Sequence, residues 1–61
     1  MPLVTIKLLE GRTLEQKRAM VEKVTQAIVE TTGATPENVL IDLQDMSKDT
    51  FARNGKLISD Q

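Results

Sequence analysis

A chain of 61 residues without a single cysteine or histidine has few ways to hold itself together. A fold of this length buries only about 60% of the surface its unfolded chain exposes, and chains below about 70 to 80 residues usually recruit disulfides, a metal or partner subunits. Disulfides are impossible here. A structural zinc site would have to be built from carboxylates alone, against that ion's preference for nitrogen and sulfur ligands. Self-association is the remaining source of stability, and one domain spanning residues 1–61 is the ceiling.

Eight Lys plus Arg stand against nine Asp plus Glu, a formal net charge of −1, with the signs interleaved along the chain rather than gathered into runs. That pattern carries no electrostatic footprint for nucleic acid or an anionic membrane. Apolar stretches span only a few residues, and the start Met1-Pro2-Leu3-Val4-Thr5-Ile6-Lys7 lacks the charged and long apolar regions of a secretory signal. The expected location is the cytoplasm. Without histidine and cysteine, the usual side chain for proton transfer near neutral pH and the usual thiol nucleophile are both missing. Acid–base chemistry falls to carboxylates, lysine or the chain terminus.

Leu3 to Leu9 is rich in β-branched residues and alternates, with Val4, Ile6 and Leu8 on one face and Leu3, Thr5, Lys7 and Leu9 on the other, which predicts a strand. Glu10-Gly11-Arg12 breaks it. Thr13-Leu14-Glu15-Gln16 then matches a capping box that opens a helix. Apolar residues Leu14, Met20, Val21, Val24, Ala27 and Ile28 recur at three and four, opposite Glu15, Arg18, Glu22, Gln26 and Glu30, with Arg18 and Glu22 spaced i,i+4. Gly33 is placed to end the helix in the left-handed conformation.

Thr35-Pro36-Glu37-Asn38 reads as a short turn behind a possible Thr35 cap, and Val39 to Gln44 as a second strand. Strand, helix of about five turns and strand make a β-α-β unit whose strands should run parallel. In the tail, Asn54-Gly55 is a strong signal for a tight hairpin turn, although its flanks, Thr50 to Arg53 and Lys56 to Ile58, form a weak strand pattern. The fold class expected is α+β, one β-α-β unit with a C-terminal hairpin. One helix covers one face of a two-stranded sheet, and such a ribbon does not stand alone in water. The other face, with Leu3, Thr5, Leu9 and Leu40, and the free strand edges predict pairing of identical chains. A pocket of roughly 300 Å³ or more is hard to fit inside so short a chain, so any active site should lie between subunits.

Removal of the initiator methionine, normally permitted by a small second residue such as proline, leaves Pro2 as a free secondary amine at the start of a strand. An α-amino group titrates near about 7.7 to 8.0 in free peptides, and burial or a nearby cation lowers that value by disfavouring the charged form. Such an amine can remove a proton from carbon beside a carbonyl and return it elsewhere. Taken alone, Met-Pro is also a common chain start with no role. Arg12 alone fits a solvated arginine near a helix N-terminus, and Phe51, the one aromatic residue, a core residue of the tail.

Read together, the Met-Pro start, the segment Leu9-Glu10-Gly11-Arg12-Thr13 with Glu15-Gln16-Lys17, the helix ending near Thr32-Gly33-Ala34, the strand running into Asp45-Met46, and Phe51 followed by a Gly turn resemble the 4-oxalocrotonate tautomerase family. The match covers essentially the whole chain. The resemblance implies a homo-oligomer, a hexamer built as a trimer of dimers, with active sites at subunit boundaries and no cofactor. It implies that Pro2 is the catalytic amine, shuttling a proton between the 2-hydroxy form of a small unsaturated acid and its conjugated 2-oxo isomer. Arg12 corresponds to the substrate-carboxylate arginine, which also suits a guanidinium that binds carboxylate bidentately and draws electron density along a conjugated system. Phe51 matches the apolar wall, and Leu9, Leu40 and Arg53 are the other residues expected to contact substrate. One position departs from the family's pattern: Leu40 stands where well-studied members carry a second arginine, contributed across the subunit boundary to the substrate's keto-acid end. Each lost charge-assisted hydrogen bond costs on the order of 1.5 to 3 kcal/mol. Arg53 is a candidate to supply that charge; its other reading is a solvated turn arginine beside Asn54-Gly55. Alternatives on the same fold are a dehalogenase- or hydratase-like activity, with protonated Pro2 as acid, and a non-catalytic oligomeric module.

Overall fold

Two parallel strands under one helix form the body of the subunit, and a computed structural model describes all 61 residues. Strand β1 spans Leu3–Leu9, helix α1 Leu14–Thr32 and strand β2 Leu40–Met46, with a 3-10 turn at Pro36–Asn38 leading into β2. The short strands β3 (Ala52–Arg53) and β4 (Lys56–Leu57) and a last 3-10 turn at Ile58–Asp60 complete the chain. The class is α+β, as the sequence predicts. β1 and β2 run parallel in the register Leu3↔Leu40 through Leu9↔Met46. Alternation turns Val4, Ile6, Leu8, Ile41 and Leu43, all half-buried, to one face, and leaves Leu3, Thr5, Lys7, Leu40, Asp42 and Gln44 exposed on the other.

The helix begins where its box predicts. The Gln16 N–H donates to Thr13 Oγ1 at 3.1 Å and the Thr13 N–H to Gln16 Oε1 at 2.9 Å. It stops at Gly33, whose φ of 78° is cheap only without a Cβ, and whose N–H donates to the Val29 carbonyl. The inner stripe differs from the sequence expectation at its margins: Leu14 and Ala27 are exposed, while Lys17, Thr25 and Val29 join Met20, Val21, Val24 and Ile28 among the half-buried positions. Arg18 and Glu22 close no ion pair, and the i,i+4 contact that forms is Gln26 Nε2 to Glu30 Oε1 at 3.1 Å. Thr35 offers its hydroxyl to the Asn38 amide side chain and not to a backbone cap.

β2 starts at Leu40 because the Val39 N–H is spent closing the 3-10 turn, on the Pro36 carbonyl at 3.2 Å. It runs two residues past Gln44 because Asp45 and Met46 find partners in Leu8 and Leu9. After β2, Ser47 carries a tight turn whose hydroxyl and carbonyl accept from the Asp49 and Thr50 N–H groups. Asn54 and Gly55, with φ of 55° and 78°, form the two-residue hairpin turn that their dipeptide predicts.

The subunit by itself has almost no core. Val39, at 9% exposure, is the only buried residue. The accessible surface of 4760 Å² exceeds the roughly 4,000 Å² expected of a folded monomer of 6.8 kDa. Its radius of gyration of 14.6 Å exceeds the roughly 10 to 11 Å of a compact chain of this length. The longest dimension, 43 Å, is well beyond the roughly 28 Å length of α1. Leu3, Leu14, Leu40, Phe51 and Leu57 remain open to solvent.

Candidate active site

The register of β1 and β2 divides the candidate residues into two groups at opposite ends of the sheet. Pro2 precedes β1 and is half-buried. Its carbonyl accepts the Leu40 N–H at 3.0 Å, and the neighbouring pair Leu3 and Leu40 faces solvent at 71% and 45% exposure. Pro2, Leu3 and Leu40 thus form one apolar corner of the subunit.

Arg12 follows the opposite end of the same strand. Six residue steps of β1, at about 3.3 Å each, put roughly 20 Å between the two ends. At that far end the Glu10 N–H donates to the Met46 carbonyl at 2.9 Å, and Glu10 Oε1 accepts the Lys48 N–H at 3.4 Å, which fixes the loop that carries Arg12. Leu8, Arg12, Gln16, Lys17 and Met20 line an open cleft of about 190 Å³. Leu8 and Met20 supply its apolar lining, and Arg12 and Lys17 its cationic groups. The one ion pair of the subunit joins Lys17 to Asp45, so Arg12 stands in the cleft with its charge unpaired. The cleft is below the roughly 300 Å³ at which pockets for small metabolites begin.

Leu9, opposite Met46, belongs to the Arg12 end of the sheet. The tail leaves from there too. Phe51 opens the hairpin, its carbonyl accepting the Ile58 N–H at 2.8 Å, and the Ser59 N–H donates back to the Lys48 carbonyl at 3.1 Å. Phe51, at 36% exposure, is therefore separated from its own chain's Pro2 by the length of the sheet. Arg53 pairs with Lys56 across the hairpin, exposed and without an ion-pair partner, and not beside Leu40.

Leu8, Gln16, Lys17, Met20 and Asp45 are part of the Arg12 environment that residue patterns alone do not single out. The signal for Gln16 was absorbed by its capping role, and Lys17–Asp45 joins positions 28 apart that only the strand register brings together.

Residues 2–61 match the tautomerase family, described as tautomerase enzyme. A probable tautomerase of Bacillus cereus is 56% identical over 61 residues, covering all of both chains. A 2-hydroxymuconate tautomerase of Bacillus subtilis is 57% identical over 60 residues, covering 98% of this chain and 97% of its own. Among solved structures, YwhB, a homologue of 4-oxalocrotonate tautomerase, superposes with a TM-score of 0.93 at 55% identity, over 98% of each chain.

Proposed function

The chain belongs to the tautomerase family, and on that premise we propose that it is a cofactor-independent isomerase interconverting the 2-hydroxy-dienoate and 2-oxo-enoate forms of a small unsaturated acid, with the Pro2 amine as base and acid. Once Met1 is removed, the Pro2 nitrogen takes the proton of the 2-hydroxy group. The electron pair moves through the conjugated system, and a distal carbon receives the proton back from the prolinium. No proton or electron is gained or lost overall. Arg12 binds a carboxylate through its fork of donors and stabilises charge that builds up in the transition state.

The observation that carries this reading is the separation of Pro2 and Arg12 at opposite ends of β1. Roughly 20 Å of strand is far more than a small acid spans. Both residues act on one substrate only when the Arg12 end of one subunit meets the Pro2 corner of another, with Phe51 arriving on the same end as Arg12. The coreless subunit and its exposed leucines supply the driving force for that assembly, for which the family resemblance implies a trimer of dimers. The test is direct: with N-terminal Pro2 verified by mass spectrometry, 2-hydroxymuconate or phenylenolpyruvate should ketonise faster with the protein than in buffer. Equal rates would reject an active tautomerase and leave the non-catalytic oligomeric module.

A further inference from the structure

Charge that is interleaved along the sequence is segregated in the fold. α1 runs back from the Arg12 end, so its second half, the 3-10 turn and the first half of β2 gather with residues 1–6 around Pro2. That half carries Glu30, Glu37 and Asp42 and no Lys or Arg, and its three acids are exposed and outside any ion pair. All eight cationic side chains lie in residues 7–23 and 48–56, and the hairpin sets two of them against each other. Arg53 on β3 pairs with Lys56 on β4, both exposed and neither in an ion pair. Like charges directly opposite on neighbouring strands repel. The Gln61 side-chain amide donates to the Arg53 and Lys56 carbonyls at 3.3 and 3.2 Å, which closes the hairpin and leaves the repulsion uncompensated. The subunit thus holds paired cations at one end and free carboxylates at the other.

We propose that Arg53 and Lys56 form an assembly contact, docking against Glu37 and Asp42 on the Pro2 half of another copy of this chain. This rests on the shared-site reading above, in which the Arg12 end of one subunit meets the Pro2 corner of another, because the hairpin leaves the body at the Arg12 end. Glu37 and Asp42 flank that corner. Glu37 lies in the 3-10 turn before Leu40, and Asp42 follows Leu40 by two residues on the same face of β2. Glu30 instead takes the Gln26 amide on the outer stripe of α1. Exposed Phe51 and Leu57 accompany the cations, and exposed Leu3 and Leu40 accompany the acids. Apolar burial drives the contact, and the charges at its edge fix which end meets which, because two cationic ends or two Pro2 ends would repel. A formal net charge of −1 conceals a subunit whose two ends attract.

The experiment is charge reversal read by sedimentation over a dilution series. Association of the wild-type chain should weaken as sodium chloride is added, since exposed charges are screened. Arg53→Glu combined with Lys56→Glu should weaken it by about tenfold or more at low salt, and added salt should then strengthen it, because repulsion has replaced attraction. Adding Glu37→Lys and Asp42→Lys to that chain restores opposite signs and should recover association. A reversal that merely damages the hairpin would not be recovered by changes at the other end of the subunit. Full association of the reversed hairpin overturns the proposal, and a raised KM for 2-hydroxymuconate in that variant would assign its cations to substrate instead. No recovery in the four-substitution chain overturns it too. Ketonisation assays keep the two readings apart. An active wild type whose association ignores the reversal refutes the hairpin contact alone, whereas an inactive wild type whose association follows the charges rejects the tautomerase reading and keeps the contact.

Discussion

Lys17 Nζ meets Asp45 Oδ2 at 2.5 Å, pinning the start of α1 to the end of β2 across 28 positions of sequence. The lysine side chain is 24% exposed and the aspartate 43%, so water and salt screen the pair. Asp45→Asn should therefore cost about 1 kcal/mol or less, with the difference shrinking as salt is added to urea titrations. Its larger effect is electrostatic. With Asp45 neutral, Lys17 becomes a second free cation beside Arg12, and saturated carboxylates should inhibit the variant more strongly than wild type. Unchanged inhibition constants would show that Lys17 does not reach the carboxylate.

Self-association should be strong and tied to folding. An isolated subunit with one buried residue has too little apolar burial to offset its chain entropy. Sedimentation at micromolar concentration should show a multiple of 6.8 kDa, and the midpoint of thermal unfolding should rise with protein concentration. A folded 6.8 kDa monomer would remove the basis for a shared site.

Local chemistry was legible in the sequence because it needs only neighbours. The Thr13–Gln16 box, the left-handed Gly33 and the Asn54-Gly55 turn each depend on a few adjacent residues, and all three form. The period-two pattern likewise placed β1 at Leu3–Leu9. What required the register was not legible. Leu40 beside Pro2, Asp45 against Lys17 and the exclusion of cations from the Pro2 corner follow from how β2 aligns with β1, and no local pattern specifies that alignment. Phe51, the apolar wall that the resemblance implies, is held by a single chain at the opposite end of the sheet from Pro2 and Leu40.

Arg12→Ala should raise KM and lower kcat for an acid substrate while leaving a neutral enol much less affected, because the lost guanidinium acts on the carboxylate. Equal losses on charged and neutral substrates would make Arg12 structural. Since Pro2 and Arg12 of one chain lie roughly 20 Å apart, mixing offers a stricter check. Arg12→Ala chains refolded together with amine-blocked chains should regain part of the activity, through sites that pair an intact Pro2 with an intact Arg12. No recovery in verified mixed oligomers would place both residues of a working site on one chain, contrary to the geometry of β1.

The Pro2 amine should be the single group whose loss removes the reaction without disturbing the fold. With Met1 retained, the Pro2 nitrogen is a tertiary amide with no basic lone pair, whereas the Leu40–Pro2 hydrogen bond uses the Pro2 carbonyl and does not need a free amine. A Met1-retained or chemically acylated form should therefore sediment as wild type and show no rate above buffer. In the Pro2-terminated form, the base is the neutral amine, so kcat/KM should rise with pH. The midpoint should fall below about 7.7, the lower end of the range for α-amino groups in free peptides, because desolvation among leucines and a neighbour's Arg12 both disfavour the ammonium. The acids Glu30, Glu37 and Asp42 pull the other way, but all three are exposed and screened. Pro2→Ala keeps a primary amine of different basicity and flexibility, and should retain reduced but measurable activity. Full ketonisation by the amine-blocked, correctly assembled protein would refute this mechanism and move the search for the base to the carboxylates.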